Sequence, residues 1–304
     1  MEADALEREQ RIASEPLHAV GARTGGTVRS IQEIWQSREL LGLLVRREVK
    51  ARYKNSSLGV VWSLFRPLVQ LLIYYFAIGQ ILGAARLIPD FAIFVFIGLT
   101  VWSLFSEIVS GSTTALISNA GLVKKVYLPR EIFPLSAVGG AIFNFAVQLA
   151  VLLAAIAILS TFPLDARLLF APLALVTLLV FSVAVGLVLS AVNVYLRDTE
   201  HLVEIALVIL FWLSPIVYSF TFVHTALNGG WLEQLYLANP VTLAVIGMQR
   251  ALWNAGSTAT GALEQDWPDN LELRLLVALV ASLVLLWIAQ RIFSRLQGSF
   301  AQEL

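Results

Sequence analysis

The sequence predicts an all-α integral membrane protein with six transmembrane helices, on three observations. Hydrophobic residues make up 58% of the 304 residues and charged residues only 14%, whereas a soluble domain carries about 25% charged residues. The apolar residues are concentrated in six runs close to the roughly 20 residues that a helix needs to cross a bilayer. The runs also lack the alternation of apolar and polar residues that marks the strands of a membrane barrel.

The six predicted spans lie at about 62–82, 91–109, 134–159, 168–192, 202–222 and 273–293. Together they form a transmembrane domain over 58–304. Pro215 lies inside the fifth run, and because proline removes a backbone donor, we expect it to kink that helix.

The segments before the first span predict a flexible cytoplasmic tail over 1–30 and an amphipathic helix over 31–57. Leu41, Val45 and Val49 recur every four residues, which gives this helix an apolar side. Its other side carries cations that can meet anionic lipid headgroups at the inner membrane surface. These cations are Arg46, Arg47, Lys50 and Lys54. A plain solvated helix is the alternative.

The distribution of lysine and arginine predicts the orientation. These residues are concentrated before the first span, between the second and third spans, and at the C-terminal end, and such segments stay on the cytoplasmic side. Both termini are therefore expected in the cytoplasm of a bacterium, with the spans in its inner membrane. The long connection at about 223–256 becomes an external gate segment, in which 241–253 predicts a short surface or re-entrant helix.

Several kinds of chemistry are unsupported by the sequence. It contains no cysteine, and His201 with Glu204 forms a helical pair that has no further candidate metal ligand. No lysine ends a phosphate-binding G-x-x-x-x-G-K-[ST] pattern. Glu107 and Arg66, two of the charged residues within predicted spans, are explained as well by helix packing as by proton transport. We therefore expect no catalytic, metal or cofactor site, and any energy should come from a partner.

The stretch NAGLVKKVYLPREIFP at 119–134 predicts a short cytoplasmic helix. Asn119 is a good N-cap, 122–128 can form two turns, and Pro129 discourages continuation. Lys124, Lys125 and Tyr127 would project away from the membrane. A simple positively charged anchor that fixes the topology is the alternative reading.

Five stretches in order resemble a known family: YKNSSLGVVWSLFRPLVQLLIYYFAIGQIL, NAGLVKKVYLPREIFPL, VYLRDTEHLVEIAL, ANPVTLAVIGMQRAL and GSFAQEL. They are similar to the successive signatures of ABC-2 type permeases that export lipid-linked polysaccharides, and the similarity covers nearly all of 31–304. The resemblance implies a homodimer joined to two copies of a separate ATPase, with a glycan channel between the permeases. ATP and magnesium would be bound by that ATPase and not by this chain.

The resemblance also implies two contacts with the ATPase. The first is a coupling helix that would sit in a cleft of the ATPase, with contact residues Asn119, Leu122, Lys124, Lys125, Tyr127 and Arg130. The second is similar to the cytoplasmic contact in NVYLRDTE, with Arg197, Asp198 and Glu200.

Aromatic residues in the first and fifth spans supply flat apolar faces with polar edges, which can stack on sugar rings. The candidate channel residues are Trp62, Phe65, Tyr74, Tyr75, Phe211, Trp212 and Tyr218. Aromatic belts at the membrane surfaces are the alternative reading of these side chains, and the family resemblance favours the channel.

Three functions remain open at this point. The resemblance favours export of a lipid-linked glycan such as O-antigen, wall teichoic acid or galactan. An ABC-2 exporter of a drug or small lipid keeps the same architecture. A membrane enzyme acting on a lipid carrier would need a pair of acids on a cytoplasmic loop, for which Asp198 and Glu200 are the nearest candidates.

Overall fold

In the computed structural model, residues 27–53, 62–125, 128–160, 162–258 and 264–304 are described. Their regular structure is helical throughout, with no strand in these ranges. The α-helices are α1 (Thr27–Gln36), α2 (Arg38–Tyr53), α3 (Trp62–Tyr74), α4 (Phe91–Ser118), α5 (Ala120–Lys125), α6 (Ile132–Leu159), α7 (Phe170–Tyr195), α8 (Thr199–Trp212), α9 (Phe220–Leu227), α10 (Trp231–Leu237), α11 (Pro240–Leu252), α12 (Asn254–Thr258), α13 (Leu271–Leu296) and α14 (Phe300–Glu303). The predicted all-α class is confirmed.

Among the described residues, five helical segments are long and apolar enough to cross a membrane. They are Leu64–Ile81, Phe91–Ser118, Ile132–Leu159, Ala166–Tyr195 and Leu271–Ser299. The first combines α3 with a π-helical continuation, Tyr75–Ile81. With 28 residues, α4 is about 42 Å long at about 1.5 Å per residue, more than the roughly 30 Å of a bilayer's hydrocarbon core. The protein is a multi-pass membrane protein.

The predicted fifth span at 202–222 is not one continuous helix, so the predicted number of six is not confirmed. Helix α8 ends at Trp212 after 14 residues, about 21 Å, and an irregular segment at 213–219 precedes α9. Pro215 explains the break, because it cannot donate a backbone hydrogen bond and its ring clashes with the carbonyl four residues earlier. The hydroxyl of Ser214 donates to the carbonyl of Leu210 at 3.0 Å, and that of Tyr218 donates to Trp212 at 2.7 Å. These bonds satisfy carbonyls that the helix leaves open, which makes a full break stable where a kink was expected.

The centre of the bundle is α4, which packs against α3, α6, α7, α8 and α11. Two glycines allow other segments of the chain to pack closely on α4. A Cβ on Gly186 of α7 would lie 2.8 Å from the Cβ of Ser112. A Cβ on Gly98 would lie 3.0 Å from the Cα of Ile216 in the irregular segment. The segment at 213–219 is therefore packed directly on the central helix.

Helix α11 confirms the short helix predicted at 241–253, and its burial excludes the surface position but leaves the re-entrant position open. Asn239 accepts a hydrogen bond from the backbone N–H of Val241 at 3.0 Å and Pro240 occupies the first turn, a favourable helix start. The helix is almost wholly buried among α4, α7 and α13. The indole of Trp253 donates to the carbonyl of Pro89 at 2.8 Å. A helix too short to span can sit within a bundle when protein surrounds it in this way.

The predicted amphipathic helix over 31–57 is two helices, α1 and α2, separated at Ser37, and 54–57 lies outside the described residues. One side of α2 packs on α6. Leu44 is buried, Val45 lies against Gly139, and Glu48 lies against Gly140. Part of the predicted apolar side, at Val45, thus contacts protein.

Two ends of the bundle can now be distinguished. The α5 end contains α5, the C-terminal end of α7, and α14. The α11 end contains α11 and the N-terminal ends of α4 and α13, since the ring of Phe94 lies 4.7 Å from that of Trp253 and a Cβ on Gly247 would meet Leu275.

Candidate functional site

Helix α5 follows α4 after a single turn residue, Asn119. The backbone carbonyl of Asn119 accepts hydrogen bonds from the N–H groups of Leu122 at 2.9 Å and Val123 at 3.1 Å, so this residue starts the helix as predicted. The sequence predicted that its side chain would cap α5, but the side chain bonds elsewhere. The amide instead donates to the carbonyl of Ala115 at 2.8 Å and accepts a hydrogen bond from Arg47 of α2. Asn119 therefore ties α5 to both α4 and α2.

Helix α5 has a buried and an exposed side. Val123 is only 5% exposed and Leu122 is half-buried, whereas Lys124 is exposed. The described part of the helix covers Ala120–Lys125, so it starts earlier than the predicted 122–128, and 126–127 lie outside the described residues. The side chain of Lys125 and the whole of Tyr127 lie outside what the structure describes.

Val123 belongs to a second hydrophobic core, which we call the α5-end core. It joins α2, α4, α5, α6, α7, α13 and α14. Its buried members are Leu44, Ala115, Leu116, Val123, Ile132, Phe133, Ala184, Leu187, Ala191, Val194, Ala289, Phe293 and Phe300.

Arg130 faces the chain's own C-terminal segment. Its guanidinium carbon lies 5.8 Å from the centre of the Phe300 ring, a distance at which a cation and an aromatic face attract each other. The side chain is half-buried. Its prediction as an ATPase contact remains a prediction, and its observed partner within the chain was not foreseen.

The connection between α7 and α8 presents Arg197, Asp198 and Glu200, all exposed. This connection lies at the same end of the bundle as α5, because α14 contacts both α5 and α7. Glu200 is in the first turn of α8, where a negative charge is favoured by the helix dipole. The two predicted contact regions are therefore on one end of the molecule.

The cations predicted for α2 divide between two environments. Arg46 and Lys50 are exposed, while Arg47 donates to Asn119. Lys54 lies outside the described residues.

The predicted channel aromatics divide into a packed group and an exposed group. In the packed group, the rings of Tyr74 and Phe211 stack at 5.8 Å, and Phe211 meets Trp102 of α4 edge-on at 5.5 Å. Tyr75 is half-buried. The sequence did not single out Trp102, because a tryptophan in an apolar run carries no signal of its neighbours.

The exposed group contains Phe65 and Trp212, each about half exposed, with Phe76 beside Tyr75. Trp212 continues an exposed apolar side of α8. That side contains Leu202, Ile205, Ile209 and Trp212, spaced as one face of a helix. Tyr218 is half-buried. The side chain of Trp62 lies outside what the structure describes.

A histidine and a glutamate join α9 to α10. Nδ1 of His224 lies 3.1 Å from both carboxylate oxygens of Glu233, and Glu233 also accepts from the N–H of Gly229 at 2.9 Å. The hydrogen bond to Glu233 raises the pKa of His224, and the nearby negative charges of Asp266 and Asp269 act in the same direction. Nothing in the sequence pointed to this pair, since a spacing of nine residues across a turn has no periodic signature.

His201 and Glu204, the pair considered for a metal, are 3.8 Å apart and exposed. In the described ranges, no group of three or more histidine, cysteine or acidic residues is placed to hold a metal ion.

The long apolar helices, the broken α8–α9 segment and the two exposed polar connections at the α5 end define a multi-pass helical membrane protein. Residues 39–253 match the ABC-2 type transporter family, and the chain belongs to this family. Membership assigns the chain to transport across a membrane and not to catalysis, and it confirms at family level the resemblance found in the sequence.

The similar proteins carry a common name. The O-antigen export system permease protein RfbA of Myxococcus xanthus is 31% identical over 278 residues, covering 91% of this chain and all of that protein. A protein of the same name from Klebsiella pneumoniae is 24% identical over 266 residues, covering 88% of this chain and 95% of that protein.

Proposed function

We propose that this chain is the permease subunit of an ATP-driven exporter that moves a lipid-linked polysaccharide from the cytoplasmic side across a bacterial inner membrane. The names of the similar proteins support the substrate class, because alignments to permeases of O-antigen export cover about nine-tenths of the chain. The working unit is a homodimer joined to two ATPase subunits, which bind the ATP and magnesium.

The observation that carries this proposal is the form of α5. It is a short helix that buries Val123 in the core and exposes Lys124. A helix anchored on one side and charged on the other suits a rigid contact that a partner can push. The exposed connection with Arg197, Asp198 and Glu200 supplies the second contact at the same end.

The α5 end is the cytoplasmic end in this proposal. Lysine and arginine before α3, after α4 and at the C-terminus favour that orientation, and both termini then lie in the cytoplasm. The gate segment at about 223–256, with α9 and α10 at its start and the buried α11 near its end, lies at the external end of the bundle.

The glycan path lies between the two permeases. The exposed side of α8 ending at Trp212, with Phe65 and Phe76 of the first span, supplies aromatic and apolar surface for it. Such surface can contact the C–H faces of sugars without deep pockets. Tyr74 and Phe211 support the path from behind by stacking on each other.

Purification of the tagged chain from its native membranes tests the proposal. We expect an ATPase to accompany the chain and its rate of ATP hydrolysis to respond to lipid-linked glycan. A chain that purifies without a nucleotide-binding partner under gentle conditions would refute it.

Charge reversal tests the coupling role. In the double variant Lys124→Glu, Lys125→Glu, we expect glycan export per ATP hydrolysed to fall about tenfold or more, because opposed like charges at an interface cost several kcal/mol and about 1.4 kcal/mol is a tenfold effect. The matched control is Lys50→Glu, an exposed charge reversal on α2. If the double variant exports glycan at the wild-type level, these lysines do not couple the ATPase to export and serve only to fix the topology.

A further inference from the structure

The last residues of the chain fold back onto the α5 end. After α13, a 3₁₀ turn at Gln297–Ser299 leads into α14. Phe300 at the start of α14 is 0% exposed, although it stands in a mainly polar stretch. Burial of this kind requires contacts with side chains from other elements.

Three side chains from three different elements surround this ring. Phe293 of α13 meets it edge-on at 5.4 Å, and Tyr195 at the end of α7 meets it at 6.0 Å. Arg130, which precedes α6, places its guanidinium over the ring. Phe300 is thus the common contact of α7, α13 and the connection between α5 and α6.

The turn before Phe300 is stabilised by hydrogen bonds of its own. The hydroxyl of Tyr195 donates to the carbonyl of Leu296 at 2.8 Å and is also hydrogen-bonded to the hydroxyl of Ser299. Leu304 packs against the α5-end core. These contacts fix the direction in which the C-terminal segment returns to the bundle.

Helix α5 depends on the same core. An isolated helix of six residues is not stable in water, so the position of α5 is set by what it packs on. Val123 lies in the α5-end core together with Phe300, and α14 contacts α5 directly.

We propose that the C-terminal segment at 297–304, through Phe300, positions α5 and links it mechanically to α7 and α13. Phe300 and Arg130 are positioning residues, which act through α5 and touch neither ATP nor glycan. When the ATPase displaces α5, the closely packed core transmits the movement because such interiors do not deform continuously. This inference rests on the proposed function of α5 as the ATPase contact.

The first test compares Phe300→Ala with Phe300→Leu in the full complex, reconstituted with its ATPase. We expect Phe300→Ala to retain the ATPase and its hydrolysis but to export about tenfold less glycan per ATP, within the range typical of coupling between sites. Phe300→Leu, which keeps an apolar side chain in the core, should recover most of the export. Phe145→Ala, a truncation of a buried ring in the main core, is the matched control and should lower stability without changing the ratio.

An unchanged export ratio in Phe300→Ala, or an equal fall in Phe145→Ala, would overturn the positioning role. Failure of the wild-type chain to retain an ATPase would instead refute the proposed function, so the two failures are distinguishable.

A second measurement does not depend on the folding of Phe300→Ala. The sequence has no cysteine, so spin labels can be attached at Gly121→Cys and Gln302→Cys, both at exposed positions outside the proposed ATPase contact residues. If α14 moves with α5, the distance between the labels should stay narrow and the same with and without bound ATP. A distance that widens or shifts when ATP binds would show that α5 moves independently and would overturn the proposal.

Discussion

Replacing Gly98 by alanine should weaken the packing of the irregular segment at 213–219 on α4. A Cβ at this position would lie 3.0 Å from the Cα of Ile216 and 3.1 Å from its Cγ2 and its carbonyl oxygen. Two of these three atoms belong to the backbone, so a change of rotamer cannot relieve the contact. Overpacking of this kind costs about 1–3 kcal/mol.

The substitution also has a favourable effect, because alanine is better than glycine inside a helix by about 0.5–1 kcal/mol. Gly42→Ala on α2 is the matched control, since a Cβ there meets no heavy atom of the described residues within 4 Å. Both variants gain helix propensity. The difference between them therefore isolates the steric cost of about 1–3 kcal/mol.

The assay is thermal unfolding of each variant in lipid nanodiscs, followed by tryptophan fluorescence. At about 2–4 °C per kcal/mol for a chain of this order of size, Gly98→Ala should melt roughly 2–12 °C below Gly42→Ala. Equal melting temperatures would refute the close packing of the irregular segment on α4.

Two further predictions concern α2 and the α9–α10 hairpin. Gly139→Ala should lower the melting temperature, because the added Cβ would lie 2.5 Å from Cγ2 of Val45. Adding Val45→Ala should restore the melting temperature, since the three atoms nearest to that Cβ all belong to the Val45 side chain. A double variant as unstable as the single variant would contradict the packing of α2 on α6. The pKa of His224 is raised by Glu233, so this contact stabilises the hairpin fully below the ordinary histidine pKa of about 6.5 and is lost as the pH rises through the folded-state pKa. The rate of amide hydrogen exchange in the hairpin, corrected for its intrinsic pH dependence, should rise as the pH passes through the folded-state pKa of His224. In His224→Gln this corrected rate should not change with pH. The same pH profile in the wild-type chain and in His224→Gln would contradict the role of the pair.

The parts of the fold that could be predicted from the sequence depend on local signals. A long apolar run predicts a membrane helix from its length, and five helical segments of the structure are long and apolar enough to cross a membrane. The Asn239–Pro240 pair begins α11 by local backbone chemistry. Asn119 begins α5 for a similar reason, although its side chain bonds to Ala115 and Arg47 instead of capping the helix.

The parts that could not be predicted depend on contacts between distant residues. Apolar composition shows that α11 avoids water but does not distinguish lipid from protein as its surroundings, so the sequence could not decide between a surface and a re-entrant position. Pro215 indicated a disturbance, yet the hydrogen bonds of Ser214 and Tyr218 decide that the helix breaks. Phe300 is a single aromatic residue in a polar stretch. It is buried by contacts with other aromatic rings, one of which lies more than a hundred residues away in the sequence.

The burial of Phe300 also has a consequence for how the protein is made. A chain leaves the ribosome from its N-terminus, and earlier elements begin to fold first. All five long helices precede residue 300, so they are complete before the ring that closes the α5-end core has been added. A chain released early would insert its long helices and still leave that core open to solvent at the end where α5 lies. The ring of Phe300 is therefore added to the α5-end core after every helix that it joins.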